Sequence, residues 1–467
     1  IFYGQRIYFF KGEIEQMNKI NVSTFIDDQK FNRFHLSLLL CCIFIIVVDG
    51  YDMFMLGAIM PALMQDWGMD AVTGGKLGSY ALFGMMIGAL VFGPLADRFG
   101  RKTVILICTV IFSVFTFTSG FANGPDSFGI QRFIAGIGLG GVMPNLIALV
   151  TEYAPKKLKS TLVAIMFSGH AFGGIVASLG ALALLPNFGW KAVVFLAAIP
   201  LITLPILIKF MPESYSFLIK VNKKEQLVHT LNRIEKNVQF SEKDEYVIHV
   251  SDDNDTSLKK LFTDKRGLST VMFWLAAFMS LLVMYGLSTW LPKIMQNAGY
   301  PMGSSLLFLV TLNLGGVTGA ILGGKLADKF GSRKVLLVFF TLGFLSLAAL
   351  SLRPSAFLLY VLLFIAGATT TGTQINTNAY VSQYYPSGIR STGVGWELGM
   401  GRIGGMLGPT LGGFLLSSQL PFHINFLSFA IPSIFGALAI LLVQEKYGQI
   451  RKTQASHVGV NLKGQEA

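Results

Sequence analysis

Three acidic side chains, Asp49, Asp52 and Glu397, fall deep inside apolar stretches, and three more, Asp97, Glu152 and Asp328, fall near the ends of such stretches. A carboxylate in an apolar medium is costly and therefore points to function. Asp49 and Asp52 are three residues apart, which on a helix sets them about 60° apart on one face. Two carboxylates so placed resist ionising together. The spacing predicts a coupled pair that holds or shares a proton near neutral pH, as a proton-coupling site requires. The alternative, a helix break at Asp49-Gly50-Tyr51-Asp52 near the outer face, fits poorly with a position about 15 residues into the apolar block.

Two buried arginines complement them. Arg132 opens Arg132-Phe-Ile-Ala-Gly136-Ile-Gly138-Leu-Gly140-Gly141, about one turn from the outer boundary. From there it either handles substrate and protons or snorkels to the headgroups. Arg402 lies some ten residues into its block, about 15 Å deep and near the midplane, where snorkelling is hardest. Its partner is expected to be a substrate carboxylate or the aspartate pair, because guanidinium offers a carboxylate two parallel donors; helix-end carbonyls are the bland alternative. Glu397, five residues before Arg402 and about 140° around the helix, does not suit the usual same-face ion pair. His170, among Gly169, Gly173 and Gly174, is a secondary proton-relay candidate or a packing residue. The run from Thr369 to Asn378, with Gln374, is too polar to face lipid on every side and is expected to line a cavity with Asn313.

These residues sit in a chain that is 52% apolar and only 13% charged, against about 25% charged in soluble domains. Twelve spans of about 20 residues need about 240 apolar residues, close to what 467 residues supply. Apolar blocks fall at about 34–60, 77–96, 103–122, 128–151, 160–184 and 190–210. After a polar interval they resume at 268–291, 304–327, 334–352, 355–380, 392–416 and 423–443. The organisation expected is a cytoplasmic N-terminal segment (1–33), a six-helix bundle (34–210), a cytoplasmic loop (211–267), a second bundle (268–445) and a cytoplasmic tail (446–467). Residues 1–16, before Met17, are read as lying upstream of the natural start. Arg98, Arg101, Lys102, Lys156, Lys157, Lys159, Lys329, Arg333, Lys334 and Arg390 gather on one side, which the positive-inside rule makes the cytoplasm, with both termini there. That rule also accounts for the net charge of +12 without nucleic acid. The loop, with ten basic and ten acidic residues including Asp252, Asp253 and Asp255, reads as a solvated connector without chemistry of its own. No HExxH, GxSxG or His/Cys cluster appears, and Cys41, Cys42 and Cys108 read as buried packing residues, so neither enzyme chemistry nor a metal or other cofactor is expected.

An internal repeat orders the whole. Gly93-Pro-Leu-Ala-Asp97-Arg98-Phe-Gly100-Arg101-Lys102 returns 231 residues later as Gly324-Lys-Leu-Ala-Asp328-Lys329-Phe-Gly331-Ser-Arg333-Lys334, each copy after the second span of its half. Two homologous six-helix bundles with a site between them follow. The repeated loop resembles the signature of the major facilitator superfamily. Asp49-Gly-Tyr-Asp52, Pro212-Glu-Ser, Tyr385-Pro-Ser-Gly-Ile-Arg390 and Gly401-Arg402-Ile-Gly-Gly-Met-Leu-Gly-Pro409 are similar to its aromatic acid/proton symporters. The resemblance implies an all-α, twelve-span bacterial inner-membrane carrier that imports aromatic carboxylates with protons, benzoate foremost. It requires neither cofactor nor obligate protein partner. It gives proton coupling to Asp49 and Asp52, important basic positions to Arg132, Arg390 and Arg402, and inter-half gating to the repeated motif: Asp97 above all, with Arg101 and Asp328. Import of hydroxybenzoate, protocatechuate or muconate, or sensing without transport, are the alternatives. Glu397 departs from the small residue the pattern leads one to expect, and could serve as counter-ion to Arg402 only through a kink. Drug/proton antiport would bring a Gly-Pro element between Ser168 and Leu185, and sugar transport a Pro-Glu-Thr where Gln444-Glu-Lys-Tyr stands; neither is present.

Overall fold

The computed structural model describes residues 19–235, 238, 240–247 and 258–449; the proposed start at Met17, Asp252, Asp253, Asp255 and most of the tail lie outside them. Among the described residues, ten helical segments are long and apolar enough to cross a membrane. Two features bring the spans to twelve. The segment Thr161–Phe210 counts once, but Gly189, at φ 71°, breaks its helix into residues 159–188 and 190–210. The helix Ser387–Ser417 has a span's length, while Arg390, Glu397 and Arg402 lower its hydropathy. The spans are numbered 1 (Arg33–Trp67), 2 (Ala71–Phe99), 3 (Arg101–Ser119), 4 (Pro125–Tyr153), 5 (159–188), 6 (190–210), 7 (Gly267–Asn297), 8 (Met302–Phe330), 9 (Ser332–Leu350), 10 (Ala356–Tyr384), 11 (Ser387–Ser417) and 12 (Phe422–Leu442).

Several spans outrun their apolar blocks. Span 1 has 35 residues and is about 50 Å long, against a hydrocarbon core of about 30 Å. Hydropathy marks only the lipid-matched part of a helix, whereas capping ends it: Asn32 accepts from the amides of Phe34 and His35 to open span 1, and Gly68, at φ 58°, closes it.

Packing repeats the sequence symmetry. Span 1 lies on span 5 as span 7 lies on span 11, and span 2 on span 4 as span 8 on span 10. The halves meet through spans 2 and 11, 5 and 8, and 1 and 7. Glycine makes these approaches close: a Cβ on Gly173 would meet the Val47 carbonyl, and one on Gly50 the His170 carbonyl. Between the halves, Gly75 and Gly78 abut Pro409, Ser79 Oγ reaches the Met406 carbonyl (2.5 Å) and the Thr410 hydroxyl (2.7 Å), and Gly174 abuts Asn313. The contacts of Gly75, Gly78 and Ser79 with span 11 lie toward the ends remote from the connector, and that of Gly174 with Asn313 lies near mid-span. On the connector side, a Cβ on Gly93, Gly324, Gly395 or Gly399 would meet open space.

The connector is more ordered than its charge suggested. It forms helices Tyr215–Lys220 and Lys224–Ile234 and a strand Glu245–Val247 that pairs in parallel with Lys19–Asn21. Leu227, Leu231 and Ile234 bury one face of its second helix, and Asn32 Nδ2 donates to the Ile234 carbonyl at 2.7 Å, fastening it to the start of span 1.

Candidate substrate and proton site

Asp49 and Asp52 each take a different partner. Span 1 is surrounded by protein, and 60° of rotation is enough to give each carboxylate a different neighbour. Asp52 faces spans 3 and 4: Arg132 Nη1 donates to its Oδ1 at 2.7 Å and Nη2 to its backbone carbonyl at 3.1 Å, while Thr116 Oγ1 lies 2.5 Å from Oδ1. Asp52 is 0% and Arg132 1% exposed, so Arg132 does not snorkel; it neutralises a buried acid.

Asp49 turns instead to span 5. His170 Nδ1 and Asp49 Oδ2 are 3.1 Å apart, while Asp49 Oδ1 and His170 Nε2, both buried, have no hydrogen-bond partner among the described residues. A hydrogen bond to an ionised Asp49 requires the Nδ1–H form of the imidazole. The His170 ring lies 5.2 Å from that of Phe54, which lies 6.5 Å from Tyr285 of span 7. Tyr285 and Arg402 are both within electrostatic reach of Asp49. Arg402 Nη1 donates to the Met85 carbonyl of span 2 at 3.2 Å, leaving the guanidinium half-buried with donors to spare. An acid, an imidazole, two aromatic rings and a cation thus come together from both halves, next to Asn313, whose Oδ1 lies where a side chain on Gly174 would intrude. The set can hold an aromatic anion by its charge and ring while a proton moves on the acid and imidazole.

Gln374 and Asn378 bond to each other on span 10. Gln374 Nε2 donates to Asn378 Oδ1 at 3.2 Å, and Asn378 adjoins Glu397, which is 0% exposed. Glu397 makes no ion pair with Arg402 among the described residues, so the counter-ion arrangement is not formed.

On the connector side, Arg101 Nη1 binds Glu152 Oε1 at 2.6 Å, within one half. Asp97, Asp328 and Arg390 are exposed, without side-chain ion pairs among the described residues. Gly100, at φ 95°, and Gly331, at φ 89°, make the same turn in the two motif copies. Each loop is fastened by a glutamate: Glu213 Oε1 accepts from the Lys102 amide at 2.9 Å, and Glu445 lies 3.8 Å from Arg333 and accepts from Tyr380 Oη at 2.8 Å.

The family model described as Major Facilitator Superfamily matches residues 42–352 and 304–463. The chain belongs to the major facilitator superfamily. Within it, the chain is 44% identical to the benzoate transport protein of Acinetobacter baylyi, over 92% of this chain and 93% of that protein. It is 36% identical to the gentisate transporter of Corynebacterium glutamicum (88% of each) and 32% identical to the 4-hydroxybenzoate transporter PcaK of Pseudomonas putida (91% and 95%). In fold it resembles the inward-facing bacterial homologue of the human lysosomal transporter Spinster (TM-score 0.69, 17% identity, 90% of this chain and 99% of that one). The inward-open xylose transporter XylE of E. coli is also similar (0.67, 19%, 88% and 95%). The chain is a multi-pass membrane transporter and not an enzyme. Thr116 and Tyr285 join the site without having been expected there, and Glu213 was expected only as part of Pro212-Glu-Ser. Thr116 carried a signal: Thr109, Ser113 and Thr116 recur on one helical face, and all are fully buried.

Proposed function

We propose that the chain imports aromatic carboxylates together with protons, benzoate first among them, by alternating access across a bacterial inner membrane. The observation that carries this reading is the Asp49–His170 contact placed beside Arg402, Phe54 and Tyr285 where spans 1, 5, 7 and 11 adjoin. Arg402 takes the substrate carboxylate, the rings take its aromatic face, and Asn313 borders the site. Asp49 is the proton carrier and His170 its relay. Asp52 and Arg132 form the buried pair that fixes spans 1, 3 and 4 around Asp49, which takes Arg132 out of direct substrate contact. The connector side is the cytoplasm, as the excess of arginine and lysine there argues, and the open gap on that side is the inward-facing stage. Asp97, Arg101, Asp328 and Arg390 act when that side closes. The units that rock are residues 34–210 and 268–445, joined by the 211–267 connector. The similarity to carriers of benzoate, gentisate and 4-hydroxybenzoate supports the substrate class.

Energetics require the proton. Benzoate is an anion at pH 7, and moving one negative charge inward against 100 mV, inside negative, costs about 2.3 kcal/mol, so uniport would expel it. The test is uptake of labelled benzoate into proteoliposomes with the pH gradient and the voltage imposed separately, beside empty liposomes because neutral benzoic acid crosses lipid unaided. Accumulation above that control is expected only with an inward proton gradient and is abolished by an uncoupler. Equilibration indifferent to the gradient would refute coupling, and binding without accumulation would make the chain a sensor. Competition by hydroxylated benzoates and muconate ranks the substrates.

A further inference from the structure

Trp290 is the largest fully buried side chain among the described residues, and it lies outside the site above. It stands about two turns before the end of span 7 that is remote from the connector. Its indole touches both halves, in different ways. The pyrrole edge belongs to the C-terminal half: Nε1 donates to the Pro409 carbonyl of span 11 at 2.7 Å, and a Cβ on Gly412 of the same span would run into Cδ1. The benzo edge crosses to the N-terminal half. A Cβ on Gly74 of span 2 would lie 3.0 Å from Cη2 and 3.1 Å from Sδ of Met60 on span 1, so the ring tip fills a notch that the missing side chain leaves beside Met60. Met60 is itself wholly buried.

This division suits a contact that opens and closes. The indole has one donor, and that donor is spent inside its own half. Withdrawal from the notch therefore breaks no hydrogen bond of the ring and strands no polar group on it; only apolar surface is uncovered, and its reburial draws the ring back. The backbone beside the ring is loosely held as well. Pro292 has no N–H to give the Ser288 carbonyl, so the turn that carries the indole lacks that bond, and the same carbonyl lies against Gly57 of span 1, where no side chain grips it. Depth decides what the ring controls. Ser79 lies five residues beyond Gly74 along span 2, about 7.5 Å farther in, with its hydroxyl on span 11. Trp290 thus stands between that inner contact of the halves and the end remote from the connector.

We infer that Trp290 is the gate at that end: an indole carried by the C-terminal half, which shuts the path to the site by seating in the notch of Gly74 and Met60 and opens it by leaving. The inference rests on the alternating access proposed above and deepens it, because it names the group whose seating holds the inward-facing stage.

A cysteine in place of Ser79 reports on the path. Right-side-out membrane vesicles carrying Ser79→Cys are treated with a membrane-impermeant thiol reagent on the side remote from the connector; Cys41, Cys42 and Cys108 are buried. Labelling at rest is expected to be slow. Adding Trp290→Ala should speed it severalfold by removing the plug, and adding Gly74→Leu should do the same by filling the notch while leaving the indole intact, so that either variant decides if the other fails to fold. Resting rates unchanged by these substitutions overturn the inference. With Trp290 present, benzoate and an inward proton gradient should speed labelling, as the ring leaves its notch at each turnover; in Trp290→Ala the rate should be high with or without them. Active uptake by Ser79→Cys with labelling indifferent to turnover also overturns the gate. Labelling that Trp290→Ala accelerates, in a protein that accumulates no benzoate under any gradient, overturns the transport reading and leaves Trp290 as the plug of the closed end.

Discussion

At the scale of single residues, the two aspartates of span 1 should answer substitution differently. Asp52→Asn strands Arg132 as a buried, unpaired cation, and breaking such a pair costs about 3–5 kcal/mol. A large fall in the melting temperature of the purified protein is expected, with partial recovery in the double variant Asp52→Asn/Arg132→Gln, which removes both charges. Asp49→Asn keeps a hydrogen-bonding group opposite His170 and should melt near the wild type while losing proton-driven accumulation. Equal destabilisation by the two would contradict the separate networks. Arg402→Gln should abolish benzoate binding by calorimetry, and Arg402→Lys should restore little, because an ammonium lacks the planar fork. That these charges lie within spans was legible from their apolar setting. Their pairing was not: Asp52 meets Arg132 across 80 positions of chain, and which neighbour each carboxylate meets depends on the rotation of a helix wrapped on all sides.

At the scale of elements, glycine sets how closely spans approach. Gly173→Ala would drive a Cβ into the Val47 carbonyl and push span 5 from span 1, widening the gap between Asp49 and His170. Overpacking of this kind costs about 1–3 kcal/mol, and here it should lower proton-driven uptake more than substrate binding, read by comparing accumulation with calorimetry. The turn before span 2 permits a pH prediction. Asp70 caps that helix, with Oδ1 accepting from the Thr73 amide at 2.9 Å, and hydrogen bonds from the Thr73 side chain and amide hold its carboxyl below the usual carboxylate range. A depressed acid stabilises the fold above its unfolded-state value and loses that contribution as pH falls through its folded-state value. Asp70→Ala should therefore cost about 1 kcal/mol near neutrality and less at acid pH, read from melting curves across pH. The number of spans and the half-chain repeat were legible because hydropathy and the Gly100/Gly331 turns recur. Span lengths and the connector's strand were not, because caps and a pairing between Lys19–Asn21 and Glu245–Val247 leave little trace in composition.

At the scale of the molecule, the alternating access proposed above makes contact between the halves remote from the connector, with an open gap beside it, one of two positions. Ser79 and Thr410 face each other across the closed end with their hydroxyls 2.7 Å apart, close enough for cysteines there to bridge. The variant Ser79→Cys/Thr410→Cys should form a disulfide under mild oxidation, lose uptake, and regain it with reductant; the native Cys41, Cys42 and Cys108 are buried and should not interfere. Full uptake by the oxidised, bridged protein would mean that the closed end never opens. The separation beside the connector has a further consequence. Closing it must expel the water that fills it, so the balance between the two positions is a hydration equilibrium and answers to osmotic pressure. A polymer too large to enter the gap should draw water out and favour the closed arrangement, whereas a small osmolyte that enters freely should leave it unchanged. The carrier would then sense the water activity of the compartment it faces, a dependence that no side chain in the binding site encodes.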